Sequence, residues 1–391
     1  MIAAIEAQTF VSALVHHGIE LAVSVPCSSI GGLLSALSTD PRISHIAATC
    51  EAEAVGIAAG AWLAGRCPVL LMQNSGFLDS LNVIGSLLIP FGIPLPFLVT
   101  GRGSCGSSDE PHHEMAGQRT LEFAELAGLP ATLLDGDGAE LDSLLDKFLA
   151  SAKAGGHGAI LMLPVGSISN CAGPTDAYPG TTRAEVRREL GEPAGRVLRI
   201  TAIAALRGAL PDSLCIATTG HTGRELFATG DSSGNLYMPG SMGCASAVGL
   251  GLALSSDRTV VVLDGDGAML MRMGNCATIG AMRPSRLLHV VLNNGAYMST
   301  GGQANYGRSV DLAAVASACG YAFAFQLDRS EALRQVADDL ASGRIEGPAF
   351  VDFWVSDRQS EQLRRPKISG IDQAARLRAL LARNPARGEK G

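Results

Sequence analysis

Long apolar runs, paired cysteines and blocks of basic residues are all missing from this sequence of 391 residues. Its longest apolar runs have the length of a strand, whereas a transmembrane helix needs about 20 apolar residues. The nine cysteines include no Cys-x-x-Cys pair, so neither a zinc site nor an iron–sulfur cluster is supported. The net charge of −7, without a basic block, argues against nucleic-acid binding. We therefore expect neither a membrane nor a nucleic acid as a partner.

The remaining composition is typical of a globular protein of the cytoplasm. Hydrophobic residues make up 47% of the chain and charged residues 17%, which indicates a well-buried core. Scattered cysteines are typical of small buried residues in a reducing compartment. The N-terminal sequence MIAAIEAQTF lacks a basic start and contains Glu6, so we expect no signal peptide and a cytoplasmic location.

Helical and strand-like patterns alternate along two stretches of similar length, which predicts an α/β fold with two domains. Each domain is expected to be a mostly parallel sheet flanked by helices. A stretch rich in proline, glycine and threonine separates them, and a polar tail with a helix from Asp372 to Ala382 follows. The expected boundaries are 1–166 for the first domain, 167–195 for the linker, 196–358 for the second domain and 359–391 for the tail.

The stretch from Arg258 to Asn294 has the strongest pattern in the chain. Val260 to Leu263 is an unbroken apolar run, as expected for a strand buried on both faces of a parallel sheet. A turn at Asp-Gly-Asp-Gly, a helix from Ala268 to Met282 and a second buried strand are expected to follow. This order places Asp266 and Asn294 at the carboxyl ends of strands, where open α/β sheets bind ligands.

Residues of this stretch offer the ligands that a magnesium diphosphate needs. Mg²⁺ prefers hard oxygen ligands in an octahedron, and Asp266 offers a carboxylate, Asn294 an amide oxygen and Ala296 a backbone carbonyl. Gly265 and Gly267 allow the backbone to approach phosphate groups closely. The following helix would direct its N-terminus at them.

The spacing of these residues resembles a known motif. Twenty-five residues separate Gly267 from Asn293, and this GDG…NN pattern is similar to the diphosphate anchor of thiamine diphosphate enzymes. The resemblance implies two thiamine diphosphate-binding-fold domains, with thiamine diphosphate and Mg²⁺ as cofactors. The simpler alternative is a pair of ordinary turns, Asp-Gly and Asn-Asn-Gly.

A second motif in the first half resembles the pyrimidine-binding helix of the same enzymes. Glu51 opens a helix after a strand, small residues follow it, and Gly60 lies nine positions on. The resemblance implies that Glu51 hydrogen-bonds N1′ of the cofactor's aminopyrimidine and favours its imino tautomer. Alternatively, Glu51 is an acidic residue favoured by a helix N-terminus, and Glu53 is a rival for the catalytic role.

A third motif, Gly240-Ser-Met-Gly243, completes the cofactor site by resemblance. In this family an apolar residue wedges between the two cofactor rings, and Met242 matches that position. The carbonyl of Gly240 would accept a hydrogen bond from the 4′-amine. The alternative for Met242 is an ordinary core methionine.

The chain as a whole resembles the phosphonopyruvate and sulfopyruvate decarboxylases. The resemblance is carried by Val25-Pro-Cys-Ser28, Gln73-Asn-Ser-Gly-Phe77 with Asn82, Gly101-Arg-Gly103, Asp109-Glu-Pro-His-His113, Thr222-Gly-Arg-Glu-Leu-Phe227, Gly240-Ser-Met-Gly243 and Asn293-Asn-Gly-Ala296 with Ser299-Thr-Gly-Gly-Gln303. Departures occur at His112-His113 in place of Gln-His, at Tyr297 in place of His and at Leu78-Asp79 in place of Gly-Asn. Tyr297 with Ser299 and Thr300 leans toward the sulfonate branch.

The resemblance implies a reaction, a pathway and an assembly. The reaction is the decarboxylation of 3-phosphonopyruvate to phosphonoacetaldehyde and CO₂, in the biosynthesis of phosphonate natural products such as antibiotics. The cofactor would bridge domains of two chains, which implies a homodimer or a higher homo-oligomer with sites at the subunit interface. Alternatives are a sulfopyruvate decarboxylase, an acetolactate-type carboligase, a silent cofactor-binding subunit, and an oxidoreductase subunit with an iron–sulfur partner.

A small 2-oxo acid with two anionic ends needs donors and positive charge. Arg102 and His113 are the candidates for charge, and Ser28 and Asn74 for neutral donors. His112 and His113 are expected in a loop, from which they could relay a proton to the product. The alternatives are a helix N-cap for Ser28 and an ordinary surface loop for the two histidines.

Overall fold

The computed structural model describes residues 4–104, 109–135, 138, 140–169, 182–192, 195–358 and 363–383. The chain divides into two compact units, one before and one after the central part of the expected linker. Residues 170–181 and 193–194 of that linker and the last residues of the tail lie outside the described residues. Within the described ranges, no helix has both the length and the apolar character that crossing a membrane requires.

The first unit is built on a sheet of six parallel strands. Their order across the sheet is β2-β1-β3-β4-β6-β5. The strands are β1 (Leu21–Ser24), β2 (Ser44–Ala47), β3 (Pro68–Gln73), β4 (Pro96–Thr100), β5 (Ala131–Leu133) and β6 (Ala159–Leu163). The central strands are buried on both faces, as near-continuous apolar runs predict.

Helices cover both faces of this sheet. They are α1 (Ala7–His16), α2 (Gly31–Thr39), α3 (Glu51–Leu63), α4 (Asn74–Val83), α5 (Ile89–Phe91), α6 (Glu114–Leu126) and α7 (Leu141–Ala154). A π-helical segment, Ile84–Leu88, joins α4 to the single turn of α5. On one face, Phe10 of α1, Leu33 of α2 and Phe148 of α7 are fully buried against the strands and form one core.

The second unit contains a sheet of seven parallel strands and a small antiparallel pair. The order across the large sheet is β7-β14-β15-β11-β10-β8-β9. The strands are β7 (Val186–Glu189), β8 (Leu214–Ala217), β9 (Asn235–Tyr237), β10 (Val260–Gly265), β11 (Leu287–Asn293), β12 (Ala296–Tyr297), β13 (Gln303–Ala304), β14 (Phe323–Leu327) and β15 (Ala349–Trp354). β12 and β13 form the antiparallel pair.

Eight helices accompany the described strands of this unit. They are α8 (Arg199–Ala209), α9 (His221–Ala228), α10 (Ala245–Ala253), α11 (Asp266–Met271), α12 (Asn275–Met282), α13 (Leu312–Cys319), α14 (Ser330–Ala341) and α15 (Gly370–Ala382). Leu206 of α8 and Leu333 of α14 join the buried strands in one core. Two units of helix-flanked parallel sheet confirm the predicted α/β fold class.

Three local expectations were wrong. β10 runs through Gly265 and α11 starts at Asp266, so in this described part of the chain the strand leads directly into the helix without the expected turn. The single helix expected from Ala268 to Met282 is broken between α11 and α12, because Arg272 has a non-helical backbone with φ −135° and ψ 51°. Val186–Glu189, inside the expected linker, forms an edge strand that pairs with β14.

Close packing of α12 gives a first testable expectation. The backbone carbonyl of Cys319, at the end of α13, occupies the space that a Cβ at Gly280 would need. We expect Gly280→Ala to lower the midpoint of thermal unfolding, because overpacking costs about 1–3 kcal/mol. Differential scanning calorimetry measures the midpoint.

Gly208 of α8 provides a matched control for that variant. It is exposed, and a Cβ added there meets no atom within 4 Å. Gly208→Ala should keep or raise the midpoint, since alanine is favoured over glycine in a helix by about 1 kcal/mol. An unchanged midpoint in Gly280→Ala would contradict the close contact between α12 and α13.

Candidate functional site

Three neighbouring strands of the first sheet end at the same edge with polar residues. β1, β3 and β4 lie side by side in parallel. Ser28 begins a 3₁₀ turn after β1, Asn74 begins α4 directly after β3, and Arg102 lies two residues beyond β4. Parallel strands present their carboxyl ends at one edge, so residues far apart in sequence come together here.

Asp109 holds the guanidinium of Arg102 in a two-point contact. Nε of Arg102 donates to Oδ2 of Asp109 at 3.1 Å, and Nη2 donates to Oδ1 at 2.5 Å. The remaining nitrogen, Nη1, donates to the hydroxyl of exposed Ser28 at 3.3 Å. The Arg102 guanidinium holds the pKa of Asp109 well below its usual range. Ser28 and Arg102, both predicted to bind substrate, are therefore in contact.

Small residues and one amide fix the backbone around Arg102. Gly103 has a φ of +69°, and a Cβ there would overlap the backbone of His113. The carbonyl of Gly103 in turn fills the space beside Gly117 of α6. Fully buried Asn74 donates to the carbonyl of Arg102 at 2.7 Å. Asn74 therefore supports the backbone of Arg102, and its predicted contact with the substrate stays a prediction.

The two histidines lie in a 3₁₀ turn, Pro111–His113, that leads into α6, and not in an irregular loop. Their ring centroids are 3.9 Å apart. His112 is exposed, whereas His113 is buried with its Nδ1 at 3.4 Å from Nε2 of Gln73. Burial lowers the pKa of His113, and the charges of Arg102 and His112 lower it further. The surroundings of His113 therefore favour its neutral form.

Glu51 is the first residue of α3, and its carboxyl group lies against α4. A Cβ at Gly76 of α4 would overlap this carboxyl group, so the glycine leaves the room that the Glu51 side chain occupies. Burial raises the pKa of half-buried Glu51, and the nearby carboxylate of Asp79 adds to the rise. A carboxyl group with a raised pKa is suited to hydrogen-bonding and exchanging a proton with a ring nitrogen.

The rival glutamate, Glu53, has a structural contact instead. It is fully buried, and its Oε2 accepts hydrogen bonds from both the N–H and the hydroxyl of Thr49, each at 2.6 Å. Such contacts stabilise the start of a helix by satisfying donors that have no intrahelical partner. Of the two glutamates, Glu51 is the one with a carboxyl group free of this capping contact.

In the second unit, Asp266 lies beside the loop that follows β11. β10 and β11 are neighbours, with Gly265 in register with Leu292. Oδ1 of Asp266 accepts from the N–H of Gly267 at 2.9 Å, and Oδ2 accepts from the N–H of Gly295 at 2.7 Å. Burial raises the pKa of Asp266 although these donors oppose the rise. A carboxylate whose charged form is disfavoured by burial is stabilised by a bound cation.

The other two expected metal ligands lie on that same loop. Asn294 directly follows β11 and is buried, and its amide oxygen accepts from the N–H of Ala296 at 3.3 Å. Ala296 begins β12 and is half-buried. A buried carboxylate, an amide oxygen and a backbone carbonyl form a set of hard oxygen donors. The residues present therefore fit a Mg²⁺ ion.

Glycines determine which space around Asp266 is filled. A Cβ at Gly267 would overlap the ring of Tyr297, and one at Gly307 would lie 2.5 Å from Cβ and Oδ2 of Asp266. A Cβ at Gly265 meets no atom within 4 Å. The space beside Gly265 is therefore open to a ligand, whereas Gly267 and Gly307 are required by close packing.

Met242 lies in a braced turn after β9. Ser241 has a φ of +50°, which is uncommon for a residue other than glycine. Gly243 lies against α11 without room for a Cβ, and Nδ2 of Asn275 donates to its carbonyl at 2.9 Å. The turn presents half-buried Met242 beyond half-buried Gly240. Backbone strain of this kind is often found at ligand sites.

Two contacts near these sites were not predicted from the sequence. Arg199 of α8 pairs with buried Glu225 of α9 through both carboxylate oxygens, and its charge lowers the pKa of Asp266. Asp109 belongs to a recognised motif, yet its contact with Arg102 was not anticipated. Glu225 also lies in such a motif, Thr222 to Phe227, so the motif was the only available signal. No local sequence pattern indicated a contact for Arg199.

Comparisons with known proteins agree with this geometry. The family model described as the thiamine pyrophosphate enzyme N-terminal TPP binding domain matches residues 6–119. The model described as the C-terminal TPP binding domain matches residues 227–353. A Mycobacterium smegmatis structure described as a thiamin diphosphate-dependent enzyme superposes with a TM-score of 0.67 at 12% identity. It covers 90% of this chain and 100% of that one, which supports the fold alone.

Two relatives extend the similarity beyond the fold. A phosphonopyruvate decarboxylase from Streptomyces viridochromogenes is 36% identical over 389 residues, covering 98% of this chain and 96% of the relative. A sulfopyruvate decarboxylase from Methanosarcina acetivorans is 36% identical over 311 residues, covering 78% of this chain and 79% of the relative. The chain therefore belongs to the thiamine pyrophosphate enzymes, in the family of phosphonopyruvate and sulfopyruvate decarboxylases.

Proposed function

We propose that this chain decarboxylates 3-phosphonopyruvate to phosphonoacetaldehyde and CO₂ with thiamine diphosphate and Mg²⁺, as a step in the biosynthesis of phosphonate natural products such as antibiotics. The observation that carries the proposal is the cluster of Ser28, Arg102 and His113 at the strand ends of the first sheet. The similarity to a phosphonopyruvate decarboxylase over nearly the full length of both chains supports it. A cluster of donors suits a small 2-oxo acid with two anionic ends.

Thiamine diphosphate, when bound, supplies the electron sink that accepts the bonding pair released as CO₂ leaves. Asp266, Asn294 and the carbonyl of Ala296 would hold the Mg²⁺ of the diphosphate, beside the open space at Gly265. Glu51 would hold a proton at the pyrimidine ring, which its raised pKa favours. These residues bind and orient the cofactor, and none of these roles requires a redox group.

Met242 and its turn would set the shape of the bound cofactor. The half-buried side chain would lie between the two rings, and the Gly240 carbonyl would accept from the 4′-amine. Asn275 and the close contact of Gly243 with α11 keep this turn rigid. A rigid turn holds reacting groups in place without an entropy cost at the moment of reaction.

The substrate would be bound through Ser28 and Arg102. Two nitrogens of Arg102 bond Asp109 and Nη1 donates to the Ser28 hydroxyl, so we assign Nη1 and exposed Ser28 to contact the substrate together. Asp109 fixes the plane of the Arg102 guanidinium and neutralises part of the positive charge of that group. Recognition of the anionic end therefore depends on directed hydrogen bonds as well as on charge.

Replacement of a carboxylate by hydrogen takes up one proton per turnover, and the histidines are placed to supply it. The amide Nε2 of Gln73 faces Nδ1 of His113, which leaves the proton of the neutral ring on Nε2. His112 is exposed and adjacent, so it can return a proton from solvent to His113. We therefore propose that His112 first protonates His113 and that the protonated ring of His113 then gives this proton to the product.

Sulfopyruvate is the second candidate substrate. The sulfopyruvate decarboxylase from Methanosarcina acetivorans is also 36% identical, though over less of the chain. Tyr297, where phosphonopyruvate-specific members often have His, packs on Gly267 next to Asp266. A phosphonate carries close to two negative charges at pH 7, by analogy with phosphate, whereas a sulfonate carries one. We favour the phosphonate because Ser28, Arg102 and His113 together offer several donors.

Glu51→Gln tests the assignment of the proton-exchanging acid. The variant keeps side-chain size and should still bind thiamine diphosphate, but decarboxylation should slow by about 10²–10⁴-fold, the usual contribution of general acid–base catalysis. Hydrogen–deuterium exchange at thiazolium C2, followed by NMR, should slow as well. Calorimetry measures cofactor binding separately.

Glu53→Gln is the matched control for Glu51→Gln. Glu53 bonds Thr49 at the start of α3, so its replacement should lower the thermal midpoint while folded enzyme keeps its C2 exchange rate. If exchange is normal in Glu51→Gln and lost in Glu53→Gln, the assignment of the two glutamates is reversed.

Substrate preference tests the proposed function directly. We expect kcat/KM to fall in the order 3-phosphonopyruvate, sulfopyruvate, pyruvate, because pyruvate has no second anionic group to accept from Arg102, Ser28 and His113. Sites built to bond a polar group reject an analogue without it by about 10⁴-fold or more. Aldehyde formation from each acid, with and without thiamine diphosphate and Mg²⁺, measures the order.

Arg102→Ala should narrow that preference by slowing phosphonopyruvate turnover most. Asp109→Asn is its control, because it keeps the guanidinium but weakens the contact that orients it, so the loss should be smaller. Faster turnover of sulfopyruvate by the unmodified enzyme would assign the chain to the sulfonate substrate. Preference for pyruvate would rule out an acidic second group.

We also propose a homodimer or higher homo-oligomer, located in the cytoplasm, with sites at the subunit interface. The family resemblance supports the assembly, and the scattered cysteines, with no Cys-x-x-Cys pair, support a reducing compartment. Mixing inactive Glu51→Gln chains with inactive Asp266→Ala chains should restore part of the activity, since a mixed dimer contains one intact site. Native mass spectrometry checks that mixed dimers form, and their inactivity would contradict a shared site.

A further inference from the structure

A buried carboxylate lies behind the expected metal site and has no part in the proposed reaction. Asp352 is on β15, the neighbour of β11, and its side chain is fully buried. Its Oδ2 accepts from Nε2 of Gln326 at 3.0 Å and from Nε1 of Trp354 at 2.8 Å. Its Oδ1 accepts from Nδ2 of Asn293 at 2.9 Å. Burying a charge is costly, so three directed donors indicate a built contact.

Asn293 links this carboxylate to the loop in front of the metal site. It is fully buried, and the same Nδ2 that donates to Asp352 also donates to the carbonyl of Gly307 at 2.9 Å. Each of the two amide hydrogens therefore has one acceptor. Asn293 also immediately precedes Asn294, an expected metal ligand, so its orientation fixes the start of the loop.

Gly307 brings the far end of that loop against Asp266. A Cβ on Gly307 would lie 2.5 Å from Oδ2 of Asp266, so a displacement of Gly307 alters the surroundings of this oxygen. The same oxygen accepts from the N–H of Gly295 at the near end of the loop. The loop thus touches Asp266 at both ends, and Asn293 fixes the distance between them.

We propose that Asp352 is a positioning residue for the Mg²⁺ site, acting through Asn293 on Gly307 and hence on the carboxylate of Asp266. The inference rests on the proposed function and adds a residue that no sequence motif singles out. Without an acceptor at Asp352, one Asn293 hydrogen loses its partner and the amide is free to turn. Gly307 would then shift, and the oxygen set of Asp266, Asn294 and Ala296 would lose its preformed arrangement. Supporting contacts of this kind typically contribute 10–100-fold to metal affinity.

Asp352→Asn and Asn293→Ala test this inference by two routes to the same loop. Asp352→Asn keeps size but presents an amide where three donors converge, and Asn293→Ala removes the link while leaving Gln326 and Trp354 to satisfy Asp352. In each variant we expect the Mg²⁺ dissociation constant, measured calorimetrically in the presence of thiamine diphosphate, to rise about 10–100-fold. Turnover at saturating Mg²⁺ should recover to within a few-fold of the unmodified enzyme, which a general loss of structure would not allow. If Asp352→Asn does not fold, Asn293→Ala alone decides the test.

Trp354→Phe is the matched control. It removes one donor from Oδ2 of Asp352, on the side away from Asn293, and keeps an aromatic ring under Arg196 and Arg308. Its Mg²⁺ affinity should remain near that of the unmodified enzyme. Unchanged Mg²⁺ affinity in Asn293→Ala, or a loss of turnover that excess Mg²⁺ does not restore, would overturn the inference.

The outcome for Asp266→Ala separates this inference from the proposed function. If Mg²⁺ and thiamine diphosphate bind the unmodified enzyme but not Asp266→Ala, the metal site is correct and the Asn293 and Asp352 variants decide the positioning role. If the unmodified enzyme binds neither, the proposed function fails and the inference fails with it.

Discussion

Burial of the Asp266 carboxylate is the constraint on which the second unit depends. The end of β10 places this charge in a site where burial raises its pKa, so the fold carries an electrostatic cost that a cation can remove. Backbone N–H groups of Gly267 and Gly295 offset part of that cost. Packing follows from the same constraint, because Gly307 must lack a side chain for its segment to lie against the carboxylate.

In the first unit, too, a partly buried carboxyl group lies in space that a glycine leaves open. Glu51 is half-buried with a raised pKa, and Gly76 provides the space in which its carboxyl group lies. Asp109 shows the opposite environment, because Arg102 holds its pKa well below the usual range. A carboxyl group that exchanges protons needs the first environment, and one that orients a guanidinium needs the second. The same side-chain chemistry thus serves different tasks according to burial and partner.

The sequence predicted what periodicity and motif spacing can encode. The buried runs of β10 and β11 place Asp266 next to Asn294, and the prediction of two helix-flanked parallel sheets is confirmed. Contacts between residues distant in the chain could not be predicted, because Asn293 and Asp352 meet only through the pairing of β11 with β15. The sequence predicts Asn74 as a neutral donor to the substrate, but nothing in it indicates the bond from the Asn74 amide to the Arg102 carbonyl.

The paired state of Arg102 also changes what its presence implies about the substrate. An unpaired guanidinium would attract any anion, and the more highly charged one most strongly. With Nε and Nη2 bonded to Asp109, the pair of Arg102 and Asp109 is close to neutral. Its main contribution is a hydrogen-bond donor, Nη1, with a fixed orientation. Discrimination between a phosphonate and a sulfonate would then depend on how many acceptor oxygens meet Nη1, the Ser28 hydroxyl and His113 in the correct geometry. Burial favours the neutral form of His113, which adds a single N–H and no charge, so shape and donor number outweigh net charge at this edge of the sheet.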